Sequence, residues 1–356
     1  MKTKQLLTFV AIVCLLTLLS LPLPFAGAAS GPTAEKPLQL KYASSLPPVS
    51  ARHKMIFEPW CKMIEERTGG RVKITIYPSN SLVKANEIYD AVVNNVAQIG
   101  FASIEEAWGR FPATEAAMLP FVPWAKDERT SNHLVYNMLK QGYFEQDFED
   151  VVPLGLIAAP PQVMHSNKEQ IRTPDDFRGL KMAIAQPGIA KLAQKLGANP
   201  SNIPAVDMYQ ALQKGTVDAI SFSWVVSAIF KLHEVSTIHN ESPWGIGFLG
   251  TVMNKKTYDA LPADIKKAID DVSWEYYSKW TADVDTAVVA GFKKMLTDRK
   301  DVIVTFSAAD EAKTREMAKG IWADWVKEKE AKGVPAQKLL DAALKISSEY
   351  NGWSLK

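Results

Sequence analysis

Cysteine is nearly missing from this chain: 356 residues contain only Cys14 and Cys61. Cys14 falls inside an N-terminal apolar run, so once that run is removed a single thiol remains and no internal disulfide can form. A basic excess is missing too. Lys and Arg number 41 against 39 Asp and Glu, a net charge of +2. Loss of Lys2 and Lys4 with the N-terminus brings the balance to about zero, whereas a nucleic-acid-binding domain carries a positive surplus. Nucleic acid is therefore not an expected partner. After the first apolar run, no stretch is long enough to span a bilayer. There is no internal repeat, no low-complexity linker and no G-x-S-x-G nucleophile elbow. The histidines His53, His133, His165, His233 and His239 include no i, i+4 pair, which leaves a zinc site unsupported; they read as surface or packing residues. No metal, cofactor or catalytic residue is expected.

What is there begins with an export signal. Lys2 and Lys4 precede an uncharged run from Leu6 to Leu21, then Pro22, Pro24 and Ala26-Gly27-Ala28. That order predicts a secretory signal peptide, residues 1–28, cleaved near Ala28 into the periplasm. The remaining length of about 330 residues suffices for two lobes, each with its own core. Hydrophobic residues at 47% and charged residues at 22% fit a folded globular chain. Cys61 lies in an amphipathic helical pattern and reads as a small buried hydrophobe.

Residues 29–37 read as a disordered leader. Strand and helix signals then alternate: a strand over Leu38–Ser44, a helix from Ser50 to Thr68 stopped by Gly69-Gly70, and a strand over Val72–Tyr77. A helix over Lys84–Ala97 and a strand over Ile99–Ala102 follow. A second series has strands at 151–157, 180–184, 219–222 and 248–253, with helices at 189–196 and 205–214. Thr173-Pro-Asp-Asp176 reads as a helix start. A long helical tract runs from Pro262 to Arg299, where Ile265, Ile269, Val272, Tyr276 and Trp280 recur at spacings of three and four. Helices at 308–331 and 335–349 close the chain. This alternation predicts an α/β fold with mostly parallel sheets.

One phosphate-binding motif does not survive its context. Gly245-Ile-Gly-Phe-Leu-Gly250 matches G-x-G-x-x-G, but a turn-like stretch precedes it and a strand follows, the reverse of the strand–turn–helix that the chemistry needs. The aromatics say more. Trp108, Trp124, Phe222, Trp224 and Trp244 stand at or just after predicted strand ends, where open α/β sheets bind ligands, and aromatic walls suit a small-molecule cleft. Ser103 and Glu105 follow the Ile99–Ala102 strand. Glu105 and Glu106 suit either an amine in that cleft or a place on a helix surface, and the surface reading is the default.

Several runs, in order and spacing, then resemble one family. They are Gly109-Arg-Phe-Pro112, Met118-Leu-Pro-Phe121, Ile171-Arg-Thr-Pro-Asp-Asp-Phe-Arg-Gly-Leu-Lys181, Leu196-Gly-Ala-Asn-Pro200 and the segment Ala205 to Asp218. Lys231-Leu-His-Glu-Val235, Val252-Met-Asn-Lys255 and Leu261-Pro262 complete the set. From about Leu38 to Ile346 the chain resembles the substrate-binding proteins of TRAP transporters, the DctP-like family. The resemblance implies a two-lobed periplasmic binding protein fold with a long helix spanning both lobes. Residues 38–158 would form lobe I, completed by about 245–280, and residues 159–244 lobe II, completed by about 281–356. It also implies a non-enzymatic monomer that closes around a small organic ligand and delivers it to the permease subunits of an ion-gradient-driven transporter.

The family's usual carboxylate ligand is held by an arginine just after the G-L-K run, a bidentate clamp. Here that run reads Gly179-Leu180-Lys181-Met182-Ala183, so Ala183 stands in the arginine's place, and Gln162 falls where a second basic residue often lies. Either another cation, such as Arg110 or Lys181, replaces the clamp, or the ligand is not an anion; the second reading is preferred. The expected ligand contacts are Trp108, Gln162, Ala183, Phe222, Trp224, Trp244, Ser103 and Glu105. A binding protein for an ATP-driven importer, an extracytoplasmic sensor and a secreted α/β enzyme are the alternatives.

Overall fold

Alternating strand and helix runs through the computed structural model, which describes residues 31–107, 109–122, 128–168 and 170–349. The expected signal segment, Trp108 and Trp124 lie outside the described residues. Residues 31–37, expected to be disordered, instead form a turn closed by paired backbone bonds between Thr33 and Lys36. Strand β1 (Leu38–Ser44) leads through a π-helical turn (His53–Phe57) into α1 (Glu58–Arg67). Gly69 and Gly70, with φ of 61° and 76°, end that helix in a left-handed conformation open to glycine. Then come β2 (Val72–Tyr77), α2 (Ile88–Val93) and β3 (Ile99–Ser103). The predicted helix over 84–97 is thus shorter, because Asn95 turns left-handed at φ 58° and ends it. Helices α3 (Pro112–Ala117) and α4 (Glu128–Lys140) precede β4 (Val151–Ala158).

The second half starts with β5 (Gln162–Ser166). After it come β6 (Lys181–Ile184), α5 (Pro187–Lys195), β7 (Asn199–Ser201), α6 (Ala205–Gln213) and β8 (Ala219–Ser223). Helix α7 (Trp224–Ile229) and β9 (Ile238–Asn240) follow, and then the chain returns to form β10 (Phe248–Asn254) and α8 (Lys255–Asp259). The Pro262–Arg299 tract is α9 (Ala263–Glu275), a π-helical turn (Tyr276–Trp280) and α10 (Thr281–Asp298). Strand β11 (Val302–Val304), α11 (Ala308–Glu330) and α12 (Ala336–Ser348) end the described chain.

Two sheets result, one per lobe. The first has the order β2-β1-β3-β10-β4 and the second β11-β9-β5-β8-β6-β7. β10 runs antiparallel between β3 and β4, and β5 runs antiparallel between β8 and β9. The chain crosses between lobes after β4 and again before β10. The helical tract makes a third link: α9 packs on α1 and β4, while Phe292 and Leu296 of α10 pack with Val163 and Trp224 of the second lobe. Residues 281–356, expected to complete the second lobe, divide instead. Leu339, Leu340, Ala343 and Ile346 of α12 sit in a core with Leu134, Val135 and Met138 of α4, because the apolar stripe of α12 faces the first lobe.

The tract is seated by a buried hydroxyl chain. Tyr42 bonds Thr251 at 2.9 Å, and Thr251 bonds Tyr277 at 2.7 Å, joining β1, β10 and the π turn. Trp60 of α1 donates its Nε1 hydrogen to Ser273 at 3.1 Å. Trp60 and Ile64 are fully buried, and each apolar side chain so placed contributes about 1.5–3 kcal/mol. The Tyr277 ring lies directly on Gly155 of β4, so a methyl there would overlap it. Gly155→Ala should therefore destabilise the fold by about 1–3 kcal/mol, read as a lower urea midpoint with an unchanged slope; an unchanged midpoint would show that the ring is free to shift.

Candidate ligand-binding cleft

The carboxyl ends of β3 and β8 face each other across the lobes. β3 is buried along its length and ends in a 3-10 turn, Ile104–Glu106. β8 ends at Ser223, whose hydroxyl caps α7 by accepting from Val226 N at 3.4 Å. Between them lies a narrow cleft, lined from the first lobe by Arg52, Phe101, Ser103, Glu105, Glu106 and Leu249. The second lobe supplies Ala205, Val206, Phe222, Val226, Ile229 and Phe230. Its mixture of rings, aliphatic groups and a few polar atoms is characteristic of small-molecule sites.

Glu105 is the meeting point. It is 1% exposed, not on a helix surface as expected. Its Oε2 accepts from Gln186 Nε2 of the second lobe at 2.6 Å and from the Phe248 backbone N–H at 3.2 Å. Its Oε1 is buried without a hydrogen-bond partner, as is Oε1 of Gln186. Burial, with a smaller contribution from Glu106, raises the Glu105 pKa to about 8, although its hydrogen bonds and Arg52 oppose the rise. Glu106 is half-buried, and desolvation raises it to about 7. Its Oε1 accepts from Ala205 N at 3.4 Å and its backbone carbonyl accepts from Asn202 Nδ2 at 3.2 Å, two further bonds between lobes.

Arg52 is the cation that lines the cleft, a residue that sequence reasoning missed. Its Nε donates to Oδ1 of Asp285 at 3.1 Å and its Nη2 to Oδ2. Both side chains are buried, at 1% and 0% exposure, so the pair ties the first lobe to α10. The signal was present as spacing. Arg52, Ile56, Trp60 and Ile64 stand four apart, which places a charge on the apolar face of the first helix.

The expected contacts are distributed unevenly. Ser103, Glu105 and Phe222 line the cleft. Ala183 packs with Met208, Ile220, Phe222 and Val226 and adds no polar atom. Gln162 is fully buried, and both its amide atoms lack partners. Trp244 stacks on Phe177 with ring centres 4.8 Å apart inside the second lobe, its Nε1 unpartnered. The structure does not bring Trp224 to the cleft: it packs beside His165, His239 and Phe292. Those two histidines bond each other through Nδ1 at 2.8 Å, and His239 reaches Asp301 at 3.0 Å; burial lowers both pKa values. Arg110, one candidate for a replacement clamp, pairs with Asp90 at 2.7 Å and lies over Tyr89. Lys181, the other, is exposed at the far end of β6. Neither lines the cleft.

The DctP family, bacterial extracellular solute-binding protein family 7, matches residues 42–329. The chain belongs to this family. Among curated relatives of this family-7 chain, the outer membrane transporter protein TsaT of Comamonas testosteroni is 27% identical over 327 residues, covering 90% of this chain and 93% of that protein. The C4-dicarboxylate-binding periplasmic protein DctP of Rhodobacter capsulatus is 26% identical, covering 68% and 73%. Among solved structures, a marine metagenome TRAP solute-binding protein specific for aromatic acid ligands, in complex with 3-hydroxybenzoate, superposes with a TM-score of 0.82. It is 26% identical and covers 88% of this chain and 99% of its own. A TRAP solute-binding protein from Rhodoferax ferrireducens with copurified benzoate gives 0.80 at 26% identity, covering 88% and 98%. The two solved structures share the two-lobed α/β architecture of this chain. Among the described residues of this solute-binding protein, no helix is long and apolar enough to cross a membrane.

Two measurements test the site of this family-7 protein. Asp285→Ala leaves Arg52 buried without its partner and should cost about 3–5 kcal/mol, whereas the double change Arg52→Met with Asp285→Leu should recover most of that loss. Urea unfolding of both variants decides it, and an Asp285→Ala protein as stable as the parent would refute the buried pair. The second measurement is a pH series. Glu105 has a folded pKa above its unfolded value, so its stabilising effect is complete below about pH 4.5 and is lost as pH rises through about 8. The protein without ligand should lose on the order of a few kcal/mol across that window, and Glu105→Gln should flatten the slope; equal slopes would be the contrary result.

Proposed function

We propose that this chain is the ligand-capturing component of a TRAP-type transporter. It is exported by its N-terminal signal into the periplasm, closes its two lobes around one small organic molecule and delivers it chemically unaltered to an ion-gradient-driven membrane permease. The observation that carries this reading is the cleft, whose walls come from both lobes and meet at one shared buried carboxyl, in a chain of a solute-binding family. The connections between lobes give a hinge its usual construction, in which a few connecting residues absorb the rotation. Every hydrogen bond described above between the cleft walls ends on Glu105 or Glu106.

The ligand-binding residues in this reading are Ser103, Glu105, Phe222 and Arg52, with Trp108 and Gln162 retained as expected contacts. Phe101, Phe222, Phe230 and Leu249 form an apolar wall suited to a body the size of one ring. The aromatic acids named for two relatives support such a body. Their acidic end finds no counterpart in Ala183 and Gln162, so the ring-sized body is carried over to this chain and the carboxylate is not.

Ligands found by thermal-shift screening should contract the particle in solution scattering, lowering its radius of gyration, and mass spectrometry should return them unchanged. A particle of fixed dimensions under saturating ligand, or a ligand recovered as a different compound, would overturn the proposal.

A further inference from the structure

Building on that solute-binding reading, we propose that the guest is a protonated amine on an aromatic or alkyl body, its ammonium group received by the hydrogen-bonded pair of Glu105 and Gln186. Gln186 spends one amide hydrogen on Oε2 of Glu105 at 2.6 Å. That orientation leaves Oε1 of Gln186 and, once Glu105 is ionised, Oε1 of Glu105 as two buried acceptors without partners, on one linked pair at the seam of the lobes. An ammonium carries three donors and no acceptor, the complement of such a pair. A carboxylate guest would meet an acceptor at Gln186 and, wherever Glu105 is ionised, a like charge beside it.

The charge balance of the cleft favours the same class. Arg52 is the cation in the lining, and Asp285 already engages its Nε and Nη2. Glu105 and Glu106 are the lining acids, and the charged neighbour acting on Glu106 is a further acid, Asp207. With Arg52 offset by Asp285, two carboxyls remain without a cation among the described lining residues. Burial favours the protonated form of both, more strongly for Glu105 than for Glu106, and a positive charge in the cleft would reverse that preference. Phe101, Phe222 and Phe230 then cover the apolar body, and aromatic rings tolerate a nearby cation.

The groups acting on Glu105 are Glu106, which raises its pKa, and Arg52, Gln186 and the Phe248 N–H, which lower it. Because its free value is about 8, binding an ammonium near neutral pH must release a proton. Affinity for an amine should therefore rise with pH, by up to about tenfold per unit below pH 8. A carboxylate that needs Glu105 protonated would show the opposite slope.

The test uses the signal-free chain and three matched probes: phenethylamine, phenylacetate and phenethyl alcohol, followed by calorimetry and thermal shift from pH 6 to 8. We expect phenethylamine to bind, with affinity rising with pH and heats that depend on the buffer in the direction of proton release. Glu105→Gln should weaken it at least tenfold and remove the slope, while Glu106→Gln keeps the slope. If phenylacetate binds and phenethylamine does not, the inference falls and the solute-binding reading stands. If none of the three probes and no member of a wider metabolite set binds, both fall. Equal amine affinity in Glu105→Gln also overturns the inference, and should that variant misfold, the sign of the wild-type pH slope and buffer heats decides alone.

Discussion

One carboxyl group is shared by both halves of the molecule, and much of the cleft follows from it. Glu105 sits at the carboxyl end of a fully buried strand, where the backbone of the first sheet and the amide of Gln186 reach it together. Removing a carboxylate from water is costly unless it is neutralised or fully bonded. Here half of its hydrogen-bonding capacity is met by protein and half is not. The group therefore cannot be a passive element of the core. Through one oxygen atom it joins a backbone amide of the first lobe to the side-chain amide of Gln186 in the second.

Arg52 and Asp285 hold the other side of the cleft. A buried ion pair is seldom a strong source of net stability, since desolvation consumes much of the attraction. What it does supply is registration: α10 can be seated on the first lobe at one place along its length, because any slip would bury two separated charges. The Tyr42–Thr251–Tyr277 hydroxyls act on the preceding turn of the same tract in a milder way. Together they fix the first half of the tract, while Phe292 and Leu296 follow the second lobe.

The architecture was legible in the sequence because it rests on periodicity. Alternating residues in Val72–Tyr77 and the three–four spacing of Ile265, Ile269 and Val272 report burial directly, and these elements appear where they were expected. The return of the last helix was not legible, since α12 joins the first lobe through contacts that only the assembled surface creates. The site was read in part. Glu105 and Phe222 stand at strand ends, where the general rule for open sheets points. Trp224 obeys the same rule yet turns away, because as the first residue of α7 it faces the helical tract rather than the cleft. Arg52 is only half legible: its place in line with Ile56, Trp60 and Ile64 marks a buried charge, but its partner Asp285 lies 233 residues away and has no local signal.

The order of strands in the first sheet carries a consequence for how the molecule assembles. β4 pairs only with β10, and β10 lies between it and β3. A nascent chain that has reached residue 158 thus holds a strand with nothing to join, and must build most of the opposite lobe before the missing neighbour at 248–254 arrives. Such long-range closure is slow and leaves an open edge in the interim. Each lobe has its own sheet in the finished protein, yet the first cannot be finished before the second has begun.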